Sequence, residues 1–191
     1  GRDSHIDSRT CKPLSMNENE VLTEKIRAAK FSCRLCGACC SGADNEVMVT
    51  PDEVDVLCKA SGLSFSEIAE PYPEWMEYPD GTKITFGWVL RRGMDGNCMF
   101  LKENRCTVYA SRPHICRTYP FMLDGEELII SECPAVGCSE CLDAEETAYA
   151  LLCRRDAEDA EFAESGKQYQ KHSIASGSTV IIDSRGVHLW K

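Results

Sequence analysis

Phe31-Ser32-Cys33-Arg34-Leu35-Cys36-Gly37-Ala38-Cys39-Cys40 packs four cysteines into eight residues, from Cys33 to Cys40. Two looser groups follow, Cys98, Cys106 and Cys116, then Cys133, Cys138 and Cys141, so that ten of the thirteen cysteines fall into three groups. Thiolates two or three residues apart on polar segments mark a metal or iron–sulfur site. Short loops of this kind carry too little apolar area to order themselves, so bound metal is expected to supply much of the folding energy. The fold class that follows is α+β: a small metal-stabilised domain with short antiparallel strands, several helices and much irregular loop.

Working outward, residues 1–16 read as an irregular arm with an isolated Cys11 thiol, and residues 1–30 as that arm followed by a helix. The helix is expected from Glu18 to about Lys30, where Val21, Leu22, Ile26 and Ala29 recur at helical spacing. Thr50-Pro51-Asp52-Glu53 reads as a capped helix start, with Thr50 as N-cap, Pro51 first in the helix and Glu53 completing a capping box. That helix carries a half-buried Cys58 and stops near Gly62, with a short helical piece at Ser66–Glu70 after it. Residues 82–90 alternate like one strand. Short strands are expected around Cys98–Leu101 and Cys106–Tyr109, and Phe121–Leu123 with Leu128–Ile130 make a hairpin. A helix with a narrow packed face, including Ala148, Leu151, Leu152, Arg155 and Phe162, should run from Asp143 to about Glu164 and carry Cys153 as a plain thiol. Thr179–Asp183 and Val187–Trp190 close the chain as a second hairpin. The organisation is thus an arm and helix over 1–30, a cysteine-cluster metal-binding domain over 31–141, and a helix-and-hairpin extension over 142–191 packed on the same domain.

Composition narrows the partners. The net charge is −10, from 21 basic and 31 acidic residues. An acidic surface argues against nucleic acid and against an anionic membrane face. The longest apolar run, around residues 148–153, is far short of the roughly 20 residues a membrane span needs, so no membrane insertion is expected. A disulfide scaffold fits poorly with an odd cysteine count and chelating spacings. The compartment expected for ten reduced thiols is therefore the cytoplasm or another reducing one, an organelle matrix or stroma if a transit peptide has been removed ahead of Gly1.

A tetrahedral zinc site or a cubane cluster takes four ligands, so ten cysteines exceed one site and suffice for two. Neighbouring side chains diverge on most backbones, which makes it hard for Cys39 and Cys40 to chelate one ion together. Two centres sharing the Cys33–Cys40 loop reconcile the count with that pair. All-cysteine ligation, the x2-x2 spacing of Cys33, Cys36 and Cys39, and proline directly after Cys133 favour iron–sulfur clusters, two of the [4Fe–4S] type. Cys138-x2-Cys141 fits a zinc knuckle equally well, and zinc stays the alternative.

The Cys33–Cys40 block resembles the opening motif of the CxxCxxCC, or YkgJ-like, cysteine-cluster proteins. Asn97-Cys98-Met99-Phe100-Leu101, Cys106-Thr107-Val108-Tyr109 and Arg112-Pro113-His114-Ile115-Cys116-Arg117-Thr118-Tyr119-Pro120-Phe121 resemble that family's later motifs. The resemblance covers about residues 31–141. It implies a zinc- or iron-chelating domain and makes Cys33, Cys36, Cys39, Cys40, Cys98, Cys106, Cys116 and Cys133 metal-ligand candidates. Cys138 and Cys141 join them on spacing. The flagellin lysine methylases are similar in this cysteine motif, but no Gly-rich adenosyl-methionine loop is present here.

Arg112 and Arg117 flank Cys116 and are candidate cofactor-binding residues, because cationic donors beside thiolate clusters stabilise their negative charge and raise the reduction potential. The plainer alternative is that Arg112-Pro113 opens a helix and Arg117 pairs with a surface acid. His114 is expected near the site without ligating, and His5, His172 and His188 stand apart from it. Tyr109, Tyr119 and Phe121 would wall the centre from water. With no phosphate loop, nucleophile elbow or HExxH sequence, the expected role is an electron-transfer or assembly module within a larger complex, its partners being other proteins such as a redox partner or complex subunits. The alternatives are a structural zinc protein and an iron–sulfur enzyme with an incompletely ligated cluster.

Overall fold

The computed structural model describes residues 16–42, 45–140 and 143–191. The arm with His5 and Cys11 lies outside them, as does Cys141. In chain order the elements are α1 (Met16–Ala28), β1 (Met48–Val49), α2 (Pro51–Ser61), α3 (Phe65–Ile68), β2 (Ala69–Pro71), β3 (Met76–Glu77), β4 (Lys83–Phe86), β5 (Trp88–Leu90), β6 (Leu101–Lys102), β7 (Arg105–Cys106), α4 (His114–Thr118), β8 (Phe121–Asp124), β9 (Glu127–Ile130), α5 (Ala144–Lys171), β10 (Thr179–Asp183) and β11 (Gly186–Leu189), with 3-10 turns at Ala38–Cys40 and Tyr109–Ser111. Helices and short, mostly antiparallel strands in open sheets make this an α+β protein. No helix among the described residues is long and apolar enough to cross a membrane.

The chain divides into two compact units. The first comprises residues up to Gly42 and Phe100–Ala157, and the second comprises Ala43–Met99 and Glu158–Lys191. In the first, Leu22 and Ile26 of α1 meet Ala144, Ala148, Leu151 and Leu152 of α5 and Phe121 of β8, with Phe31, Leu123 and Leu128 packed around them. Burying each large apolar side chain of such a cluster contributes about 1.5–3 kcal/mol. Arg155 of α5 reaches Glu18 of α1 at 2.5 Å. Phe162, expected on the packed stripe of α5, is 84% exposed instead. β8 and β9 form the expected hairpin, and Gly125 at its turn takes φ 60°. β6 and β7 are shorter than expected. Glu103 and Asn104 join them, both at positive φ, the backbone that a two-residue hairpin turn matching strand twist requires.

In the second unit the α2 start is as expected. The Thr50 hydroxyl accepts from the Glu53 amide at 3.2 Å, the Glu53 carboxylate accepts from the Thr50 amide at 2.9 Å, and Gly62 closes the helix in the left-handed conformation. The stretch read as one strand breaks at Gly87, which takes φ 84°. Its first half, β4, enters a four-stranded sheet ordered β11-β10-β4-β3, where it pairs in parallel with β10. Its second half, β5, lies between β1 and β2 in another sheet. The terminal hairpin forms as expected, and its turn is organised by Asp183. This aspartate is 1% exposed and accepts from Trp88 Nε1 at 2.8 Å and from the Arg185 and Gly186 amides. His188, expected to stand isolated, lies with Nε2 2.9 Å from the same carboxylate.

Candidate metal centre

Eight reduced cysteines among the described residues belong to the first unit: Cys33, Cys36, Cys39, Cys40, Cys106, Cys116, Cys133 and Cys138. No helix or ladder orders the stretch from Cys33 to Cys36, so its shape comes from local turns and from what it leans on. Leu35 holds φ 54° while 54% exposed, a left-handed backbone that a branched side chain adopts at a cost of about 1–2 kcal/mol. Gly37, at φ 74°, then turns the chain into the short 3-10 helix carrying Cys39 and Cys40. The Cys40 amide and the Ser41 hydroxyl both donate to the Gly37 carbonyl, at 3.0 and 2.9 Å. A Cβ on Gly37 would stand 2.9 Å from the Asn104 carbonyl oxygen and 3.2 Å from the Leu101 side chain. The loop therefore lies flat against the β6–β7 turn, and Cys106 sits on β7.

The other two stretches approach through the tripeptide Tyr119-Pro120-Phe121. The Tyr119 hydroxyl donates to the Glu132 carbonyl at 2.5 Å, and the Ser131 amide donates to the Pro120 carbonyl at 2.8 Å. The Phe121 ring meets Phe31 edge-on at 5.5 Å. The Gly137 and Ser139 amides donate to the Ala29 and Lys30 carbonyls, laying the Cys133–Cys138 loop along the segment that leads into Cys33. Cys116 sits on α4, three residues before Tyr119. The Tyr119 phenol is held above its ordinary pKa, first by burial, then by the Cys133 and Cys39 thiols, with Glu132 and Cys36 adding less. Sequence reading gave Tyr119 a shielding role. Its position as a tether has no sequence signal, since the bond partner is a backbone carbonyl.

Cys39 and Cys40 have their sulfurs 3.9 Å apart. The side-chain hydrogen bond between the two is the main cause that lowers the Cys39 pKa from 9.0 to about 6. Burial opposes the shift, while the Cys39 amide and the Arg112 charge assist it. A thiolate is the reactive and metal-binding form, so this pair presents one at neutral pH without external base. In metal-stripped protein, iodoacetamide at pH 6.5 should alkylate Cys39 well ahead of Cys58, measured by peptide mass spectrometry. Equal labelling of the two would contradict the assignment.

Arg112 reaches the pair electrostatically while its side chain is used locally. Its Nε donates to the Tyr109 carbonyl at 2.8 Å, and its guanidinium lies 3.5 Å from the Tyr109 ring centroid. Arg117 donates to the carbonyls of Arg112 and Ala110 at 2.8 and 2.9 Å, so it braces the backbone before Cys116. Both arginines thus order the segment around Cys116, and Arg112 also acts on a thiolate.

The 3.9 Å sulfur separation bears on the expectation that adjacent cysteines are hard to place on one ion. Two ligands on a tetrahedral ion with 2.3 Å metal–sulfur bonds lie about 3.8 Å apart. The 3-10 turn brings neighbouring side chains together where an extended backbone would splay them, and the pair fits one ion. The wider set is gathered less tightly. Among the described residues no three Cys, His, Asp or Glu side chains are grouped at chelating distance. The Cys138 thiol is exposed and donates to the Pro134 carbonyl at 3.3 Å. Cys98 belongs to the second unit, where it forms an isolated bridge with Arg92. Cys153, expected as a plain thiol, is disulfide-bonded and 4% exposed on α5.

The donor set, soft sulfur with one thiolate preformed, suits zinc or iron. A model of the CxxCxxCC family, described as "Putative zinc- or iron-chelating domain", matches residues 32–153. The chain belongs to the CxxCxxCC family. The CxxCxxCC match begins one residue before Cys33 and runs through the hairpin and the first turns of α5 to Cys153, beyond the span the motifs alone suggest. No solved structure matches the chain.

Proposed function

We propose that the first unit of this CxxCxxCC protein is a metal–thiolate module carrying iron–sulfur clusters and serving as an electron-transfer or assembly component for a protein partner. The observation that carries this reading is the presence of eight reduced cysteines in one compact unit, twice what a single tetrahedral ion uses. Cys33, Cys36, Cys39 and Cys40 on the loop, Cys106 on β7, Cys116 on α4, and Cys133 and Cys138 on the segment after β9 would supply the ligands. Bound iron and sulfide would supply a reversible one-electron couple. Arg112 would stabilise thiolate charge there, with Arg117 bracing the Cys116 segment. The exposed acids of α5, Glu145, Glu146, Glu158 and Asp159, suit a basic protein partner, and reduced thiols in this number suit a reducing compartment.

A second reading, structural zinc, is favoured by one measurement, the 3.9 Å separation of the Cys39 and Cys40 sulfurs. A cubane takes four cysteines on four irons, one each, whereas zinc takes several on one ion. Anaerobic purification followed by iron, zinc and acid-labile sulfide quantification separates the two. Iron with sulfide in comparable amount is the expected result, and zinc without sulfide would replace it by the structural reading.

A further inference from the structure

Cys133 sits on irregular chain, so no helix or sheet ladder fixes its side chain. Hydrogen bonds on both sides hold its neighbourhood. Three run between backbone groups: Ser131 to Pro120, Val136 to Cys133 and Gly137 to Ala29. Another is the Tyr119 hydroxyl donating to the Glu132 carbonyl. That carbonyl belongs to the peptide unit whose amide nitrogen is that of Cys133. The φ torsion of Cys133 is set against this unit, so holding its plane limits the directions open to the Cα–Cβ bond of Cys133. The tether is thus a side-chain bond on the peptide plane that precedes this thiol, while the Val136 amide holds the plane that follows it.

We propose that Tyr119 is a positioning residue of the metal centre, its hydroxyl fixing the Glu132–Cys133 peptide so that the Cys133 sulfur faces the Cys36–Cys39 loop. The inference rests on the metal-binding reading above and names the part that one phenol plays in it. Three cysteine-bearing stretches meet at the same tripeptide. Phe121 holds Phe31, two residues before Cys33. Tyr119 and Pro120 hold Glu132 and Ser131, just before Cys133. The helix carrying Cys116 leads directly into Tyr119. Partners that orient metal ligands typically change metal affinity by 10–100-fold when removed.

The test is Tyr119→Phe in the full chain, which keeps the ring and removes only the donor. Zinc affinity is read by competition with a chromophoric chelator. Cysteine protection by bound zinc is read by alkylation and peptide mass spectrometry, and the core of the first unit by amide hydrogen exchange at Leu151 and Leu152. The expected result is about 10–100-fold weaker zinc binding, loss of protection concentrated at Cys133, and unchanged exchange in α5. Unchanged affinity overturns the proposal, as does loss of protection spread evenly over the cysteines. Weaker binding accompanied by faster exchange at Leu151 and Leu152 also overturns it, because the hydroxyl would then act on folding at large. A wild-type chain that takes up neither zinc nor iron overturns the metal-binding reading itself, whereas tight wild-type binding fully retained in the variant overturns only the role of Tyr119.

Discussion

Serine in place of Cys36 or Cys116 should strip metal from the protein and lower its melting temperature together. Serine keeps the size of the side chain but replaces a soft thiolate with a neutral hydroxyl, which zinc and iron bind poorly. The consequence for stability is large because the loop around Cys36 has little else to hold it. Leu35 is exposed in a left-handed conformation, and both Cys33 and Cys36 are exposed. Where metal binding is part of folding, losing a ligand removes folding energy. A loss of about 3 kcal/mol in a unit of this size corresponds to roughly 10–20 °C in melting temperature. Metal analysis and thermal unfolding on the same preparations check the point. A variant that keeps full metal occupancy shows that its cysteine is not a ligand.

Gly37→Ala should have the next largest effect, although it touches no ligand. Alanine at φ 74° costs about 1–2 kcal/mol from the left-handed backbone alone. Its Cβ would also stand 2.9 Å from a backbone oxygen, that of Asn104, which cannot swing aside as a side chain does. The loop must lift from the β6–β7 turn, carrying Cys36, Cys39 and Cys40 away from Cys106. Metal affinity is expected to fall about tenfold or more, on the rule that 1.4 kcal/mol is one decade. Ala38→Gly, at an exposed position on the same turn, is the control. Wild-type affinity in Gly37→Ala would show that the loop does not need this docking.

The parts of the fold that were legible in the sequence are those decided within a few residues. The capping box of Thr50 and Glu53, the Gly62 stop and both late hairpins depend on neighbours only, and each is found where the residues place it. What depends on distant partners was not legible. Residues 82–90 alternate without interruption, yet Gly87 sends the two halves into different sheets, because β10, almost a hundred residues on, claims β4. Trp88 and His188 share a buried carboxylate that no spacing reveals. α5 continues seven residues past the expected Glu164, through Gly166, since a helix tolerates one glycine at a cost of about 1 kcal/mol.

The site divides the same way. The cysteine groups announce their chemistry by spacing, but not their geometry. Adjacent Cys39 and Cys40 were expected to diverge, and a 3-10 turn started by Gly37 brings their sulfurs together. Cys98 reads as part of one series with Cys106 and Cys116, although the boundary between the compact units falls just after it, at Met99 and Phe100. Cys153 carries no local sign of its disulfide, because pairing cannot be deduced from sequence. By sequence Arg117 suits either a cluster or a surface acid, and its bonds to the Arg112 and Ala110 carbonyls are what a fork of guanidinium donors does when a turn offers it acceptors.

X-ray absorption at the K-edge of the metal bound to the purified protein tests the central claim most directly. Sulfur scatterers at about 2.3 Å making up the first coordination shell are the predicted result. A shell of oxygen or nitrogen near 2.0–2.1 Å, without sulfur, would contradict it.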